Sequence, residues 1–345
     1  FYDLAGHEKY LKTTIFGLAS GRPDICLVMV AANKGLNQKI RMTLEHMFLC
    51  KTLGIPFVIV VTKIDMTHGR DNVLETTLSS ISSILKKPGI RRIPIRVKTS
   101  EDIIRCAMHV HSQSIVPIFS VSNVSMEGID KIHEFLNLTP KRVNENKIQN
   151  VEMHCDHAWM IQGVGTVVGG HLLSGTVKIG DKLWYGPSNN AYIQVYVRTI
   201  HCKRVSVQQV STPTYICLSV KGVRTSFTKQ DFCKGSVLLG SKSQQVLCKK
   251  MVVDVEVLKS HSTTIKLGYQ PIMHAHHVRT SVNIDDITNK NSNTDNDDKI
   301  LRTGDTARIT LSPCFDRAIF VKKDSDILLC EGRTKVIGVI VDVIE

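Results

Sequence analysis

Continuous apolar runs in the first 140 residues alternate with stretches whose apolar side chains recur at helical spacing. In chain order the strands are expected at 24–32, 56–62 and 115–121, and the helices at 38–53, 72–86 and 127–138. Strands that are buried on both faces and alternate with helices are typical of a parallel α/β sheet. The pattern therefore predicts a parallel sheet over residues 1–140.

A basic segment at residues 85–95 interrupts this alternation. It carries Lys86, Lys87, Arg91 and Arg92 around a Pro-Gly pair. Proline and glycine favour turns, so we predict a solvated loop here. Contact with nucleic acid is the alternative interpretation.

Beyond Pro140 the pattern changes to short alternating runs that are broken by glycine roughly every eight to twelve residues. This spacing is typical of antiparallel β-barrels. A polar linker at 141–150 and a boundary near 241–245 divide the remainder into predicted barrels at 150–243 and 247–345.

A low-complexity stretch lies inside the second of these barrels, at residues 283–299, and consists mostly of Asn and Asp, with a few Lys, Ser and Thr and two isoleucines. Such a composition cannot bury enough apolar surface to order itself. We expect a disordered loop that is inserted between two strands.

The 345 residues are 42% apolar and 22% charged, which excludes wholesale disorder and fibrous repeats. No run approaches the roughly 18 apolar residues that span a bilayer, so we expect a cytoplasmic protein without a membrane partner. The opening Phe1-Tyr2-Asp3 is neither a signal peptide nor an initiation site, and we expect a longer protein. Ten cysteines without a C-x-x-C pair indicate reduced, buried thiols; zinc or disulfides are the alternative.

The positive charge is concentrated in the middle of the chain. Residues 141–250 hold 15 basic and 5 acidic side chains, which accounts for ten of the thirteen excess positive charges. This density indicates a polyanionic partner, although a merely soluble basic face is the alternative. Candidate contacts flank the apolar runs 193–200 and 215–220: Arg198, Lys203, Arg204, Lys221, Arg224 and Lys229.

Polar motifs follow three of the expected strands, where an α/β sheet binds its ligand. Each motif alone is weak, but their order and their shared position at strand ends make the set informative. The motifs are Asp3-Leu4-Ala5-Gly6-His7 after an expected strand at Phe1-Tyr2, Thr62-Lys63-Ile64-Asp65, and Ser120-Val121-Ser122-Asn123.

This set resembles the GTP-binding domain of the translational GTPases, the class of elongation factor Tu, elongation factor 1-alpha and the selenocysteine-specific factor. The phrase from Asp3 to Thr14 resembles the branch of GTP-binding proteins 1 and 2 in particular. Residues 163–170 resemble the opening of the second domain of these factors, and residues 301–305 and 331–338 the end of the third. The resemblance implies a P-loop-type α/β GTPase domain, here without its amino-terminal part, followed by two barrels.

The resemblance also implies how guanine would be recognised. The Asp65 carboxylate would accept hydrogen bonds from guanine N1 and N2, and the Lys63 stem would lie along the base. Backbone N–H groups around Asn123, within Ser122-Asn123-Val124, would meet guanine O6.

Two positions of this motif set depart from the common pattern. The family usually has Asn where Thr62 stands, and Val124 replaces a common Lys. Neither departure removes the Asp65 carboxylate, and a backbone contact tolerates Val124.

On the phosphate side, Asp3 would hold Mg²⁺ through water, and the Gly6 N–H would approach the γ-phosphate. His7 would orient the attacking water, and we therefore name it as the catalytic residue. A surface or capping histidine is the alternative for His7.

The phosphate-binding string G-x-x-x-x-G-K-[S/T] does not occur in this sequence, and Lys12-Thr13 lacks the preceding glycines. We interpret the chain as a fragment of a longer protein, with a degenerate paralogue as the alternative. The chain by itself is expected to bind GTP weakly, since the phosphate cradle supplies most of the affinity.

Other reactive side chains give only weak support for a metal site or a hydrolase. His274, His276 and His277 could suggest a metal, but alternate strand residues point to opposite faces and no carboxylate is adjacent in sequence. We treat His154 and His157 in the same way. No G-x-S-x-G string supports a serine hydrolase.

The leading hypothesis is a monomeric translational GTPase that binds GTP/GDP and Mg²⁺, with barrels that engage the ribosome, tRNA or other RNA. The alternative is a non-catalytic RNA-binding module whose sheet domain is inert.

Overall fold

The computed structural model describes most of the chain: residues 2–21, 23–34, 40–67, 69, 71–87, 90–140, 150–211, 214–223, 227–258, 264–289, 299–331 and 333–344. Two compact units are present. The first contains residues 3–14 and 22–143, and the second contains the remainder, including residues 15–21. Several sequence-based expectations lie wholly or mainly outside the described residues: the strand at Phe1, the Pro88-Gly89 turn, the linker at 141–149 and the contact at Arg224.

Among the described residues before 140, nine α-helices and β-strands are present besides short 3₁₀ turns. They are α1 (Leu11–Gly21), β1 (Cys26–Ala31), α2 (Ile40–Thr52), β2 (Phe57–Thr62), α3 (Asp71–Lys86), β3 (Ile93–Arg96), α4 (Ser100–His109), β4 (Ile115–Ser120) and α5 (Ile129–Leu138). The strands form one parallel sheet in the order β1-β2-β4-β3. This architecture confirms the predicted α/β sheet.

The central strand β2 shows why an unbroken apolar run folds this way. Residues 57–61 are all buried, because helices cover both faces of the sheet. A core cluster that includes Val58, Val60, Phe119 and Phe135 joins β2 and β4 to α5.

Two expectations for this region are wrong. Residues 93–95 are not part of a loop, because β3 pairs with β4 in parallel there and Ile90 is buried just before it. Tyr2 lies in no strand. Its hydroxyl instead hydrogen-bonds to Nε2 of His171 at 3.0 Å, and its ring lies beside Gly21, where an added Cβ would meet it at 3.9 Å.

The first barrel is built from strands between residues 152 and 239: β5 (Glu152–Ile161), β6 (Gly165–Ser174), β7 (Thr176–Lys178), β8 (Lys182–Ser188), β9 (Ala191–Cys202), β10 (Val205–Val207), β11 (Gln209–Ser211), β12 (Thr214–Gly222) and β13 (Val237–Leu239). The order β9-β12-β6-β5-β13-β8 closes because β8 also pairs with β9. Strand β10 extends β9, and β7 pairs with β11.

The second barrel follows: β14 (Lys250–Val257), β15 (Thr264–Lys266), β16 (Ile272–Ala275), β17 (Val278–Asn289), β18 (Ile300–Arg302), β19 (Thr306–Pro313), β20 (Asp326–Glu331) and β21 (Arg333–Ile344). Its closed order is β14-β19-β17-β16-β20-β21, and β15 pairs with β18. The two closed antiparallel barrels confirm the rest of the predicted fold class.

The expected disorder at 283–299 is wrong for its first part, because β17 continues to Asn289. Ile284 and Ile287 are buried among the polar residues. A shift of register between Ile284 and Asp286 turns both isoleucines inward against β19. Residues 290–298 lie outside the described part of the chain.

Polar contacts join the two barrels within their unit. The Ala318 N–H donates to Oδ1 of Asn190 at 2.7 Å, and Lys322 forms an ion pair with Glu152. The His154 ring lies 3.7 Å from the His277 ring, centre to centre.

The structure also bears on the metal site, the thiols and the membrane span that the sequence analysis considers. Across the described residues, no group of three or more His, Cys, Asp or Glu side chains is arranged to hold a metal ion. The ten cysteines are free thiols, five of them buried. Among the helices that the structure describes, none combines the length and the apolar character of a bilayer span.

Candidate functional site at the ends of strands β2 and β4

Strands β2 and β4 are adjacent and in register, so the segments that follow them leave the sheet together. Val61 pairs with Ser120. Beyond that pair, the Val121 N–H donates to Val61 O at 2.8 Å and the Ile64 N–H donates to Val121 O at 3.4 Å. The two motifs are thereby brought side by side at the carboxyl edge of the sheet.

The hydroxyl of Ser122 is the centre of this arrangement. It donates to Oδ1 of Asp65 at 2.6 Å and accepts from the N–H groups of Val124 and Ser125 at 3.1 and 3.2 Å. Ser122 is completely buried, and Asp65 is half-buried. A hydroxyl has one donor and two acceptor sites, so this side chain is fully used in holding the loop to the carboxylate. The motif indicated Ser122, but not this contact.

Thr62 and Lys63 occupy different environments at the end of β2. The Thr62 hydroxyl donates to Val30 O on β1 at 3.4 Å, a long bond that links two strand ends. Lys63 is exposed and has a φ of +62°, which is uncommon for a residue other than glycine. This backbone conformation directs the chain into the 3₁₀ turn Ile64–Thr67, which carries Asp65.

Glycine is required at the start of α5. Gly128 has a φ of +74°, and a Cβ at this position would lie 2.3 Å from the carbonyl oxygen of Ser120. The same loop is closed by the Ser122 N–H, which donates to Glu127 O at 3.0 Å. Asn123 and Val124 remain exposed, Val124 by 83%.

The motif at Asp3, Gly6 and His7 forms a separate exposed segment. The His7 Nδ1 accepts from the Lys9 N–H at 3.2 Å, and the Thr14 hydroxyl donates to Ala5 O at 2.6 Å. Among the described residues, no hydrogen bond joins this segment to Asp65 or Ser122. A Cβ added to Gly6 would meet nothing within 4 Å, so the approach to Gly6 is open.

The basic residues that we expect to contact RNA lie at several separate positions along the first barrel. Arg198 lies on β9 and Lys221 on β12, whereas Lys203 and Arg204 form the exposed turn between β9 and β10. Five residues separate Arg198 from Lys203, or roughly 17 Å of strand. Lys229 begins a short 3₁₀ turn elsewhere on the barrel.

Comparison with known proteins gives the same class as the motifs. Residues 1–143 match the family described as the elongation factor Tu GTP-binding domain. The findings support a translational GTPase of the elongation factor Tu and elongation factor 1-alpha class, to whose members the chain is similar.

Two curated relatives match nearly the whole chain. GTP-binding protein 1 of Xenopus laevis is 34% identical over 346 residues, covering 100% of this chain and 50% of that protein. GTP-binding protein 2 of Homo sapiens is 32% identical, covering 99% of this chain and 55% of its own length. The chain thus spans about half the length of these relatives.

A solved structure shows the same fold. Translation elongation factor SelB from Methanococcus maripaludis, in its apo form, superposes with a TM-score of 0.72 at 18% sequence identity. The match covers 99% of this chain and 70% of SelB. The order of one α/β domain and two barrels is therefore that of a known translation factor.

Proposed function

We propose that this chain forms the base-recognition and hydrolysis part of a GTP-driven switch that acts on RNA in translation. The observation that carries the proposal is the 2.6 Å hydrogen bond from Ser122 to Asp65 at the joined ends of β4 and β2. It holds a carboxylate in one orientation at the edge where α/β sheets bind ligands. A structure of SelB from Methanococcus maripaludis, which shares this fold, has been solved with the GTP analogue GppNHp, and this supports a guanine nucleotide as the ligand.

Guanine recognition follows from the hydrogen-bonding capacity of Asp65. An ionised carboxylate offers about four lone-pair sites, and Ser122 uses one of them. The others are available to guanine N1–H and N2–H, whereas adenine has no N–H at its N1. Lys63 is exposed beside this carboxylate, where its stem can cover one face of the base.

The Asp3 segment supplies the groups for hydrolysis. The Asp3 carboxylate is exposed and makes no ion pair with any other described residue. Mg²⁺ is bound in such sites by one or two carboxylates, water and the phosphates of the substrate, so Asp3 fits this role. When bound, the ion would neutralise charge on the phosphates. Asp3 would hold the ion through its water molecules, and His7 would orient the attacking water.

An RNA partner is supported by the charge of the first barrel and the segments that flank it. The ten excess positive charges of residues 141–250 favour a polyanion. A non-catalytic RNA-binding module shares this feature, so charge alone does not distinguish the two functions. Nucleotide hydrolysis distinguishes the two functions, because a non-catalytic module has no such activity.

The test compares GTP and ATP hydrolysis by the 345-residue chain with that of a fusion that joins an upstream phosphate-loop unit, carrying G-x-x-x-x-G-K-[S/T], to the start of the chain. We expect weak GTP binding by the chain alone, and GTP-specific turnover by the fusion. A folded fusion that hydrolyses neither nucleotide would favour the non-catalytic module. Tight Mg²⁺-dependent GTP binding by the chain alone would contradict the need for the phosphate loop.

A further inference from the structure

Two cysteines from different elements meet at the amino ends of strands β1 and β2. Cys26 is the first residue of β1, and Cys50 lies in the last turn of α2. The Ile55 N–H donates to Cys50 O at 2.8 Å, and the Cys26 N–H donates to Pro56 O at 2.9 Å. Because residues 55 and 56 are adjacent, the backbones of both cysteines are held by the same short stretch of chain.

The two thiols of this pair also contact each other directly. The Cys50 thiol donates a hydrogen bond to the Cys26 sulfur, and this bond lowers the pKa of Cys26 although burial acts in the opposite direction. The same bond, together with burial, raises the pKa of Cys50. Sulfur atoms in contact need only a small movement to reach the disulfide bond length of about 2 Å.

The thiols differ in how readily an oxidant reaches them. Cys26 is half-buried, whereas Cys50 is completely buried. A cysteine that reacts with oxidants combines thiolate character, access to solvent and a second thiol beside it. Cys26 has all three features. Cys106 does not, because burial raises its pKa to about 11.

We propose that Cys26 and Cys50 form a reversible intramolecular disulfide when the protein meets hydrogen peroxide. The Cys26 thiolate attacks one peroxide oxygen and the O–O bond breaks, which gives a sulfenic acid and a hydroxide that takes up the thiol proton to become water. The Cys50 sulfur then attacks the sulfenic sulfur, the S–O bond breaks, and a second water leaves as the S–S bond forms. The two thiols lose two electrons, and the peroxide is reduced to two waters.

This thiol pair is separate from the candidate guanine site. Cys26 pairs with Phe57 at the start of β2, whereas Ala31 pairs with Thr62 at its end. Five residues of strand, or roughly 16 Å, separate these two positions. The proposal therefore goes beyond the proposed function, and the failure of one does not affect the other.

The test counts the free thiols of the folded 345-residue chain before and after treatment with a small molar excess of hydrogen peroxide. The chain should lose two of its ten free thiols, and dithiothreitol should restore them. Alkylation, proteolysis and mass spectrometry without reduction should recover one pair of linked peptides, which joins Cys26 to Cys50. A non-reducing gel should show no covalent dimer.

Two variants separate the roles of the thiols. Cys50→Ser should leave Cys26 as a sulfenic acid that dimedone traps, and Cys26→Ser should leave Cys50 unmodified. The matched control is Cys314→Ser, which removes another partly exposed thiol and should still lose two thiols to the same link. Thermal melting shows whether each variant is folded, and the peptide map of the unmodified chain decides the question if a variant is not.

Several results would overturn the proposal. They are an unchanged thiol count, a disulfide between any other pair, a covalent link between two chains, and a Cys26 sulfinic acid formed without the link to Cys50. Repetition of the treatment in urea provides the last check. If the same link forms equally fast in the unfolded chain, the contact in the folded protein has no part in it, and the proposal is wrong.

Discussion

The hydroxyl of Ser122 lies 2.6 Å from Oδ1 of Asp65, although 57 residues separate the two in sequence. The Ser122 hydroxyl also accepts hydrogen bonds from two backbone N–H groups of its own loop. One buried side chain therefore fixes both the carboxylate and the segment after β4. A hydrogen bond to a charged group contributes about 1.5–3 kcal/mol. The pair therefore fixes the position of the proposed guanine site.

Removal of this hydroxyl should weaken guanine nucleotide binding. In the fusion that carries a phosphate loop, Ser122→Ala should reduce GTP affinity by about tenfold or more, because Asp65 and the loop amides lose their common partner. Titration calorimetry measures the affinity. The control is Ser125→Ala at an exposed position of the same loop, and an equal loss in both variants would show that Ser122 has no special role.

Substitution of His7 should affect turnover and not binding. In the same fusion, His7→Ala should slow GTP hydrolysis by on the order of 10²-fold, as loss of a water-orienting group does, and leave GTP affinity nearly unchanged. His7→Gln should recover part of the rate, because glutamine performs this task in other GTPases. Parallel losses of affinity and rate would instead assign His7 a structural role.

The fold was predictable where burial alone decides the structure. The unbroken apolar run at 57–61 is typical of a strand buried on both faces, and β2 occupies that position. The short strand β3 was missed because Ile93–Arg96 follows a segment with four basic residues, one proline and one glycine, and only its pairing with β4 identifies it. At 283–289 the polar composition was misleading. Two inward isoleucines are enough to order this segment as a strand when β19 provides the backbone hydrogen bonds.

The candidate site was predictable as a set of residues and not as a geometry. The sequence places Asp65 and Ser122 after two strands, but their contact depends on β2 and β4 being neighbours in the sheet.

The turn between β9 and β10 offers a test that separates stability from RNA binding. Lys203 and Arg204 both have a positive φ, at 51° and 68°, where a two-residue hairpin favours Asn-Gly. Lys203→Asn with Arg204→Gly should therefore raise the free energy of unfolding by on the order of 1 kcal/mol. RNA affinity and its salt dependence should fall at the same time. A more stable variant with unchanged RNA binding would exclude this turn from the interface.

Burial of His274 should make stability depend on pH. Burial lowers the pKa of His274 to about 4, with a smaller effect from Arg279, and neither ring nitrogen has a hydrogen-bond partner among the described residues. The unfolded chain titrates near 6.5 and binds the proton more readily. The contribution of the neutral His274 to the free energy of unfolding is therefore fully present above about pH 6.5 and is lost as the pH falls toward 4.

The variant His274→Leu should remove this component. At pH 5 its free energy of unfolding should rise relative to the unmodified chain by about 2 kcal/mol more than it does at pH 8. Urea unfolding at the two pH values gives the difference. Asp156, whose pKa burial raises to about 7, acts in the opposite direction and cancels in the comparison. An equal change at both pH values would mean that His274 does not titrate differently on folding.

Base selectivity is the most direct test of the guanine site. In the fusion that supplies the phosphate loop, Asp65→Asn replaces a carboxylate oxygen with an amide donor, which opposes guanine N1–H and suits the O2 of xanthine. The measurement is the ratio of GTP to xanthosine triphosphate affinity, with Asp65→Ala as the control that should bind neither well. We predict that the preference shifts to xanthosine triphosphate in Asp65→Asn. Retained preference for GTP in that variant would contradict the assignment of Asp65 as the residue that reads the base.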